Sequence, residues 1–388
     1  MLLTGFYNRL VSPKGVRNMR VLVLSVTAGY GHISTAKAIA EEFTARGAEI
    51  SVEDLYYQIS RLTYDIIDKG YLFSIRHFQR GFKHGYEQME NSETTRKLAS
   101  LFTSNRVIAG RLAKYLHEYM PDVILATHPF PGQVLNNLKS QGILNIPCIG
   151  VITDYCIHPG WEDCGKLEYI VTSSELLSYI AQKKSIALEQ LAPLGIPVRS
   201  MFRNKTDKLE ARRRLDLDAH KHTVLLMGGS MGYGNMIKNV TAIDRMNINL
   251  QLICICGRNE KMRRQLSILK TRDPIIVLGF VDNVDLYMDA ADCIITKPGG
   301  LTVTEALCKK LPMILVNPIP GHEERNVEFL MNSGAALRVT RHFSVSEAVY
   351  YLYSSPERLK LMSRCIELIA KPDAAERICD LAESLCIK

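Results

Sequence analysis

Small residues occur in two places where a backbone could wrap around a phosphate group. The first is Met227-Gly-Gly-Ser-Met-Gly-Tyr-Gly234, which follows an apolar run and precedes a possible helix. Its N–H groups would surround an anion at the positive end of that helix. A tight turn without a ligand is the alternative, because turns with unusual backbone angles also favour glycine.

The second place is Thr296-Lys-Pro-Gly-Gly-Leu-Thr-Val-Thr-Glu305, where a rigid turn passes into a helix. Phosphate would meet the helix N-terminus around Gly299, Gly300 and Thr302. Glu305 falls in the first turns of that helix, where a carboxylate can accept hydrogen bonds from two ribose hydroxyls. Alternatively, Glu305 only complements the helix dipole.

A third polar cluster follows the next apolar run, in Val316-Asn-Pro-Ile-Pro-Gly-His-Glu-Glu-Arg-Asn326. His322, Glu323 and Asn326 could face one pocket and bind the hydroxyls of a hexose. A solvated helix start would show the same residues. Each of the three segments stands where a predicted strand ends.

The elements that position these segments alternate regularly between apolar strands and helices. Strands are predicted at residues 20–25, 122–126, 148–152, 169–172, 223–227, 250–256, 275–278, 293–296 and 313–316. Helices are predicted at residues 34–46 and 174–183. Continuous apolar strands separated by helices indicate parallel sheets covered on both faces.

A proline- and glycine-rich interruption at residues 193–197 separates two such series. It predicts an N-terminal Rossmann-like domain over residues 1–195 and a C-terminal one over residues 200–365. Residues 366–388 are predicted to form a helical segment that packs back towards the first domain. A redox dinucleotide domain fits less well, because Gly29-Tyr-Gly31 is followed by Ser34 where the third glycine should stand.

Composition limits the remaining classes. The ten cysteines are scattered through a long chain, which favours a reducing, cytoplasmic location over a disulfide framework. No apolar run approaches the roughly 20 residues of a membrane-spanning helix. The net charge of +8 fits several anionic partners and selects none of them.

In their order and spacing, these segments resemble the family of monogalactosyldiacylglycerol synthases, bacterial processive diacylglycerol glucosyltransferases and, more distantly, the peptidoglycan lipid II N-acetylglucosaminyltransferase. The resemblance spans nearly the whole chain. Its most specific segments are residues 25–32, 153–161, 256–259, 278–281, 296–305 and 321–326. It implies an α/β fold of the GT-B type, in which two Rossmann-like domains face each other across a cleft.

The resemblance also implies a UDP-sugar site on the C-terminal domain. Its residues are the phosphate loop Gly228, Gly229 and Ser230, the second phosphate turn Gly299, Gly300 and Thr302, Arg258, the uracil segment Phe280 and Val281, the ribose acid Glu305, and the sugar loop His322, Glu323 and Asn326. His322 stands where many relatives have glutamine. The hexose therefore stays open between glucose and galactose.

On the N-terminal domain the resemblance implies a lipid acceptor site near Gly31 and His32. A histidine held in a glycine turn can accept the proton of a hydroxyl near neutral pH. Asp154 could orient His32 or act as the base itself. Structural roles are the alternative, as a turn histidine and a turn-capping aspartate.

No metal or other cofactor is expected besides the UDP-sugar donor. His158, Cys156 and Cys164 lie close in sequence, but their spacing matches no zinc pattern. The departing diphosphate would instead be stabilised by helix dipoles and loop N–H groups.

Residues 61–119 carry basic side chains interleaved with aromatic ones, including Arg76, Arg80 and Lys83. This pattern fits a surface on anionic lipid headgroups, and hence a peripheral location on the inner face of the cell membrane. An ordinary helical pair with buried aromatics is the alternative. Nucleic acid is not an expected partner, because no stacking-platform motif is present.

Together these observations predict an enzyme that moves a hexose from UDP-glucose or UDP-galactose to a membrane lipid, with diacylglycerol as the expected acceptor. A UDP-sugar epimerase, a transferase to a non-lipid acceptor and a non-catalytic sugar-nucleotide-binding protein are the alternatives. All three are compatible with two Rossmann-like domains.

Overall fold

A computed structural model describes residues 18–27, 30–59, 106–184, 186–229, 235–246 and 248–387. The chain divides into two compact units, the first formed by residues 1–200 with 373–388 and the second by residues 201–372. Each unit contains a six-stranded sheet, and every strand pairing described in either sheet is parallel.

The sheet of the first unit has the strand order β2-β1-β3-β4-β5-β6. Its strands are β1 (Arg20–Ser25), β2 (Glu49–Asp54), β3 (Val123–Ala126), β4 (Cys148–Val151), β5 (Tyr169–Val171) and β6 (Leu191–Ala192). The helices of this unit that lie before residue 200 are α1 (Tyr30–Ala45), α2 (Leu55–Ile59), α3 (Arg106–Tyr119), α4 (Pro129–Ser140) and α5 (Glu175–Lys183).

Two apolar layers enclose this sheet, because side chains on successive strand residues point to opposite faces. Leu22 and Leu24 of β1 pack in one buried cluster, whereas Val21 and Val23 pack in the other. This explains why β1 is apolar at consecutive positions rather than at alternate ones.

The sheet of the second unit has the order β12-β11-β10-β7-β8-β9. Its strands are β7 (His222–Met227), β8 (Leu250–Ile255), β9 (Ile275–Leu278), β10 (Cys293–Thr296), β11 (Met313–Leu315) and β12 (Ala336–Arg338). Its helices are α6 (Lys208–Arg214), α7 (Met236–Asp244), α8 (Glu260–Ser267), α9 (Val284–Ala290), α10 (Gly300–Cys308), α11 (His322–Asn332), α12 (Val345–Tyr353) and α13 (Pro356–Ile369).

The last helix, α14 (Ala374–Cys386), belongs to the first unit. Ile378, Cys379 and Ala382 are buried in the same cluster as α1 residues. The Arg46 guanidinium, just after α1, lies 2.7 Å from Asp380 and 3.1 Å from Glu383. The division falls at Pro372 rather than at residue 365, because α13 continues through Ile369 within the second unit.

The start of one helix was predicted wrongly, and three strands, β2, β6 and β12, were not predicted. Helix α1 begins at Tyr30 rather than at residue 34, so Gly31 and His32 lie in its first turn instead of in a loop. Strand β2 was missed because Glu49–Asp54 carries charged residues at both ends and lies at the edge of the sheet. Edge strands are often charged, which weakens their apolar pattern.

In each sheet the strand order reverses next to the strand that comes first in sequence. β1 lies between β2 and β3, and β7 lies between β10 and β8. Ligands of open α/β sheets bind beyond the carboxyl ends of the strands at such a reversal. The loops that follow β1, β3, β7 and β10 are therefore the first places to search for a site.

Candidate active site

The turn after β7 runs close to the residue that follows β10. Gly229 has a φ of +68°, which favours glycine. A Cβ atom at this position would lie 3.4 Å from Cε of Lys297. Gly229 thus lies beside Lys297. Gly228, the first residue of the predicted phosphate loop, directly precedes it, and Ser230, the third, lies outside the described residues.

The amino end of α10 faces the same edge of the sheet. Gly299 is the N-cap residue, and no side chain caps the helix. The first N–H groups of any α-helix have no acceptor within the helix, here those of Gly300, Leu301 and Thr302. The first turn of α10 contains no acidic residue. This helix end is suited to an anion such as a phosphate group.

Lys297, Glu323 and Asn326 brace the turn between β10 and α10. The Lys297 ammonium lies 2.6 Å from Oε1 of Glu323, which is 2% exposed. The other Glu323 oxygen accepts a hydrogen bond from the N–H of Ile319 at 2.8 Å. The buried Asn326 amide donates to the carbonyl of Pro298 at 2.9 Å. Glu323 and Asn326 were predicted to bind the hexose, and these contacts show that both shape the turn.

Lys297 was not singled out from the sequence. Its position directly before Pro298-Gly-Gly300 was the available signal, because a cation beside a phosphate turn is the usual arrangement. Its side chain is 25% exposed, so the ammonium group is held by Glu323 but still reaches solvent.

Arg258 and Phe280 lie together at the carboxyl ends of β8 and β9. The guanidinium of Arg258 is 5.7 Å from the centre of the Phe280 ring. Phe280 is 57% exposed, although it is large and apolar, and the neighbouring Val281 is half-buried. An exposed ring beside a cation offers a flat heterocycle a stacking surface.

The remaining predicted donor residues lie at the same edge. Glu305 is in the second turn of α10, and His322 is the first residue of α11; both are half-buried. Gly321 has a φ of +98° and is the N-cap of α11, and its N–H donates to the Glu324 carboxylate at 3.4 Å. Thr302 is half-buried at the start of α10.

In the first unit, two loops orient the ring of His32. Its Nδ1 lies 2.8 Å from the carbonyl oxygen of Thr127 and 3.0 Å from the hydroxyl of Thr153. A carbonyl oxygen can only accept, so Nδ1 carries the hydrogen and Nε2 is the basic nitrogen of the neutral ring. The Thr127 hydroxyl in turn donates to that of Ser25 at 3.0 Å. The ends of β1, β3 and β4 therefore define the His32 tautomer.

Two further histidines, His128 and His158, lie near His32, and nothing in the sequence indicated a role for His128. The rings of His32 and His128 meet edge to face, with centres 4.7 Å apart. Nδ1 of His128 accepts from the N–H of Phe130 at 3.1 Å and caps α4. Burial, followed by the proximity of His32 and His158, lowers the pKa of His128 well below 6.5. His128 is therefore neutral at physiological pH.

His158, Pro159, Gly160 and Trp161 form a local structural unit. His158 Nδ1 accepts from the N–H of Gly160 at 3.1 Å and caps a 3₁₀ turn. Trp161 is buried against Gly150 of β4, where an added Cβ would lie 2.6 Å from its ring. Among the described residues, no cluster of histidine, cysteine or carboxylate side chains has the arrangement of a metal site.

Asp154 comes one residue after Thr153 and is half-buried at the same edge as His32. Gly31 precedes His32 in the first turn of α1. The predicted membrane residues Arg76, Arg80 and Lys83 lie outside the described residues. No helix in the described ranges is long and apolar enough to cross a bilayer.

Solved structures share this architecture. MurG of Acinetobacter baumannii aligns with a TM-score of 0.63 and 14% identity, covering 95% of this chain and 100% of that one. HepE of Anabaena, in complex with UDP-glucose, aligns with a TM-score of 0.55 and 13% identity, again covering 95% and 100%. Two Rossmann-like units, each with polar loops at the carboxyl edge of its sheet, define a GT-B glycosyltransferase fold, and that prediction is confirmed.

Sequence comparison gives the family. Residues 32–198 match the monogalactosyldiacylglycerol (MGDG) synthase family, and residues 223–378 match the glycosyltransferase family 28 C-terminal domain. The processive diacylglycerol beta-glucosyltransferase of Bacillus subtilis is 30% identical over 371 residues, which cover 93% of this chain and 94% of the relative. The chain therefore belongs to the family of lipid glycosyltransferases that contains the processive diacylglycerol beta-glucosyltransferases and the MGDG synthases, and the predicted enzyme class is confirmed.

Proposed function

We propose that this enzyme transfers glucose from UDP-glucose to a membrane diacylglycerol and releases UDP. The observation that carries the proposal is the orientation of His32, whose Nδ1–H is held by Thr127 so that Nε2 is the basic nitrogen. The acceptor and the sugar named for the Bacillus subtilis relative support the choice of substrates. The UDP-glucose complex of HepE supports the choice of nucleotide.

The donor is proposed to bind at the carboxyl edge of the second unit. The N–H groups at the start of α10 receive the diphosphate, and Lys297 adds a positive charge beside it. Phe280 provides a face for the uracil ring, and Glu305 accepts hydrogen bonds from the ribose. His322, Glu323 and Asn326 form the side of the site proposed for the hexose.

In the transfer step, the acceptor hydroxyl oxygen forms a bond to the anomeric carbon of the sugar. The bond between that carbon and the diphosphate oxygen breaks, and UDP leaves with the electron pair. The hydroxyl proton passes to Nε2 of His32, while Nδ1–H stays on the Thr127 carbonyl. Negative charge developing on UDP is stabilised by the α10 dipole and Lys297. We infer that this arrangement needs no metal ion.

A donor-by-acceptor assay tests the proposal directly. UDP release from UDP-glucose is expected only when diacylglycerol is supplied in mixed micelles, with a glucosylated lipid identified by mass spectrometry. Conversion of UDP-glucose into UDP-galactose without lipid would instead identify an epimerase. UDP binding without turnover for any acceptor would identify a binding protein. If UDP-galactose were a donor and UDP-glucose were not, the transferred sugar would be galactose, and the rest of the proposed reaction would be unchanged.

The working location proposed for the enzyme is the inner face of the cell membrane. A diacylglycerol acceptor resides in a bilayer, so its hydroxyl must be reached at the lipid surface. The basic and aromatic residues between 61 and 119 support this location by their types and spacing.

A further inference from the structure

A cavity of about 330 Å³ lies in the second unit, at the edge of the sheet opposite to the proposed donor site. Asp292 directly precedes β10, and Lys310 comes three residues before β11, so the cavity lies at the amino ends of these strands. Helix α13 contributes Lys360 and Arg364. The volume falls within the range of small-ligand sites, and the proposed sugar-nucleotide residues do not line it.

Cations predominate around this cavity. Among the described residues that line it, the charged side chains are Lys205, Lys208, Lys310, Lys360 and Arg364 against the carboxylate of Asp292. That carboxylate lies 2.5 Å from the Lys208 ammonium and 2.8 Å from the Arg212 guanidinium. Burial opposes ionisation of Asp292, but these cations and its hydrogen bonds lower its pKa. The negative charge of Asp292 is therefore already balanced by Lys208 and Arg212.

Two of the remaining cations also have carboxylate partners. Lys310 lies 2.7 Å from Glu367, and Lys360 lies 2.8 Å from Glu357. Both pairs are exposed, so solvent screens them and they contribute little stability.

Neither Lys205 nor Arg364 lies within ion-pair distance of a carboxylate in the part of the chain that the structure describes. Arg364 is still close enough to carboxylates to act on them, because it adds to the lowering of the pKa of Glu357 by Lys360 and of Glu367 by Lys310.

Partial desolvation and the like charges of Lys208, Lys310 and Lys309 lower the pKa of Lys205, and the carboxylate of Asp289 opposes this shift. Lys205 is exposed beside three other lysines. An anion in the cavity would add to the attraction of Asp289 and offset the repulsion between these lysines.

We propose that this cavity binds a phosphomonoester, with the phosphate group held by Lys205 and Arg364. A guanidinium matches phosphate oxygens with two parallel donors, and an ammonium adds a compact charge. Leu311, Pro312 and Leu359 form an apolar part of the wall, which suits an organic group attached to the phosphate. A soluble metabolite and a phospholipid headgroup share this chemistry.

The test compares two double variants of the full chain that remove the same charges from the same unit. Lys205→Gln/Arg364→Gln changes the cavity, and Lys270→Gln/Arg245→Gln changes two exposed residues away from it. Binding of glycerol 3-phosphate is measured by calorimetry with UDP in excess. Sedimentation with phosphatidylcholine vesicles, with and without phosphatidic acid, tests the lipid source.

The cavity variant is expected to bind the phosphomonoester about tenfold more weakly or worse, which corresponds to roughly 1.4 kcal/mol, while the control binds normally. A loss confined to glycerol 3-phosphate identifies a soluble ligand, and a loss confined to phosphatidic acid vesicles identifies a headgroup. Equal affinities of the two double variants, or no binding of either probe to the unmodified protein, would overturn the proposal. If the double variant misfolds by circular dichroism, Arg364→Gln alone, at an exposed position, decides the question.

Discussion

The hydrogen bonds of His32 decide which of its ring nitrogens can take up a proton. A free histidine interconverts between two neutral tautomers, whereas a carbonyl acceptor at Nδ1 stabilises the one with a basic Nε2. Thr127 provides this acceptor and Thr153 adds a hydroxyl. His128, which stays neutral, places no permanent positive charge beside the ring. The surroundings of His32 therefore suit a general base.

We expect His32→Ala to reduce transfer about 10²- to 10⁴-fold, because a positioned general base contributes a factor of this size. UDP affinity should be unchanged, since the proposed nucleotide contacts are all in the second unit. Turnover with lipid acceptor and calorimetry with UDP measure the two effects. Near-normal turnover would remove His32 as the base and make Asp154 the next candidate. A collapse of UDP affinity would contradict the assignment of roles to the two units.

Lys297 offers a second test at this scale, because it has both a ligand role and a structural one. Lys297→Met should weaken UDP binding and also destabilise the fold, since it leaves the buried Glu323 carboxylate without its cation. Removing one member of a buried pair typically costs about 3–5 kcal/mol, and the partial exposure of Lys297 places the expected loss at or below the lower end.

The double variant Lys297→Met/Glu323→Gln separates these roles. The melting temperature should rise back towards that of the unmodified protein, because the buried carboxylate without a cation has been removed. UDP affinity should remain low, because Lys297 is still absent. Recovery of UDP affinity in the double variant would show that Lys297 acts only through Glu323 and does not meet the nucleotide.

At the scale of elements, close packing around single residues positions the candidate site of the first unit. Trp161 fills the space above Gly150 on β4 and Gly132 on α4. His128 starts α4 as its N-cap residue. These contacts hold the strand ends and the helix start from which Thr127 and Thr153 reach His32.

Gly150→Ala is expected to destabilise the protein by about 1–3 kcal/mol, the usual range for overpacking a core. The added methyl group would lie 2.6 Å from the rigid Trp161 ring, so strand β4 or the ring must shift. Gly110→Ala in α3 is the matched control, because its methyl group would meet nothing within 4 Å and alanine favours helix. Equal melting temperatures of the two variants would show that Trp161 moves without cost.

The His128 cap predicts a pH dependence of stability. A histidine whose pKa is lowered by folding takes up its proton in the unfolded state first, so stability falls as the pH drops below about 6.5, by at most about 1.4 kcal/mol per pH unit. His128→Asn keeps an N-cap acceptor but cannot titrate. Denaturant unfolding between pH 7 and about pH 5 should show a smaller decline for the variant than for the unmodified protein. Parallel declines would mean that His128 is protonated in the folded state.

At the scale of the whole molecule, the same architecture occurs twice and carries different side chains at the carboxyl ends of its strands. The second unit presents an uncapped helix end, Lys297 and an exposed aromatic ring, which suit a nucleotide. The first presents a histidine with a defined tautomer, which suits proton transfer from an acceptor. The net charge of +8 adds a general attraction to anionic surfaces.

Membrane attachment is the prediction that belongs to this scale. Replacing Arg76, Arg80 and Lys83 with glutamine should weaken binding to anionic vesicles by about 1 kcal/mol for each base that lies near the surface. Sedimentation at two salt concentrations measures the change, and the effect should shrink at high salt because salt screens exposed charges. The Lys270→Gln/Arg245→Gln variant controls for lost net charge. Equal, salt-insensitive binding of all these proteins would exclude electrostatic attachment.

The sequence by itself determined the fold class and the position of the glycine-rich turns. Alternating apolar strands and helices can form only a small set of layered folds. Glycines directly after a strand indicate a turn whose backbone conformation other residues rarely adopt, so such a turn can be located from the local sequence. This is why the strands that bear the candidate sites, and the turn at Gly299 and Gly300, were predictable. The family resemblance added the roles of Phe280 and Glu305, which remain predictions.

Only the tertiary structure decided how the key side chains are held. Thr127 and Thr153 lie 95 and 121 residues from His32, and Glu323 lies 26 residues from Lys297. No local pattern reports such partners, because they meet only when parallel strands bring their carboxyl ends to one edge of a sheet. The same packing assembled the basic cavity at the opposite edge from Lys205, Lys310 and Arg364. The residue types thus limit which chemistry is possible, and the arrangement of the strands decides which of these residues lie close together.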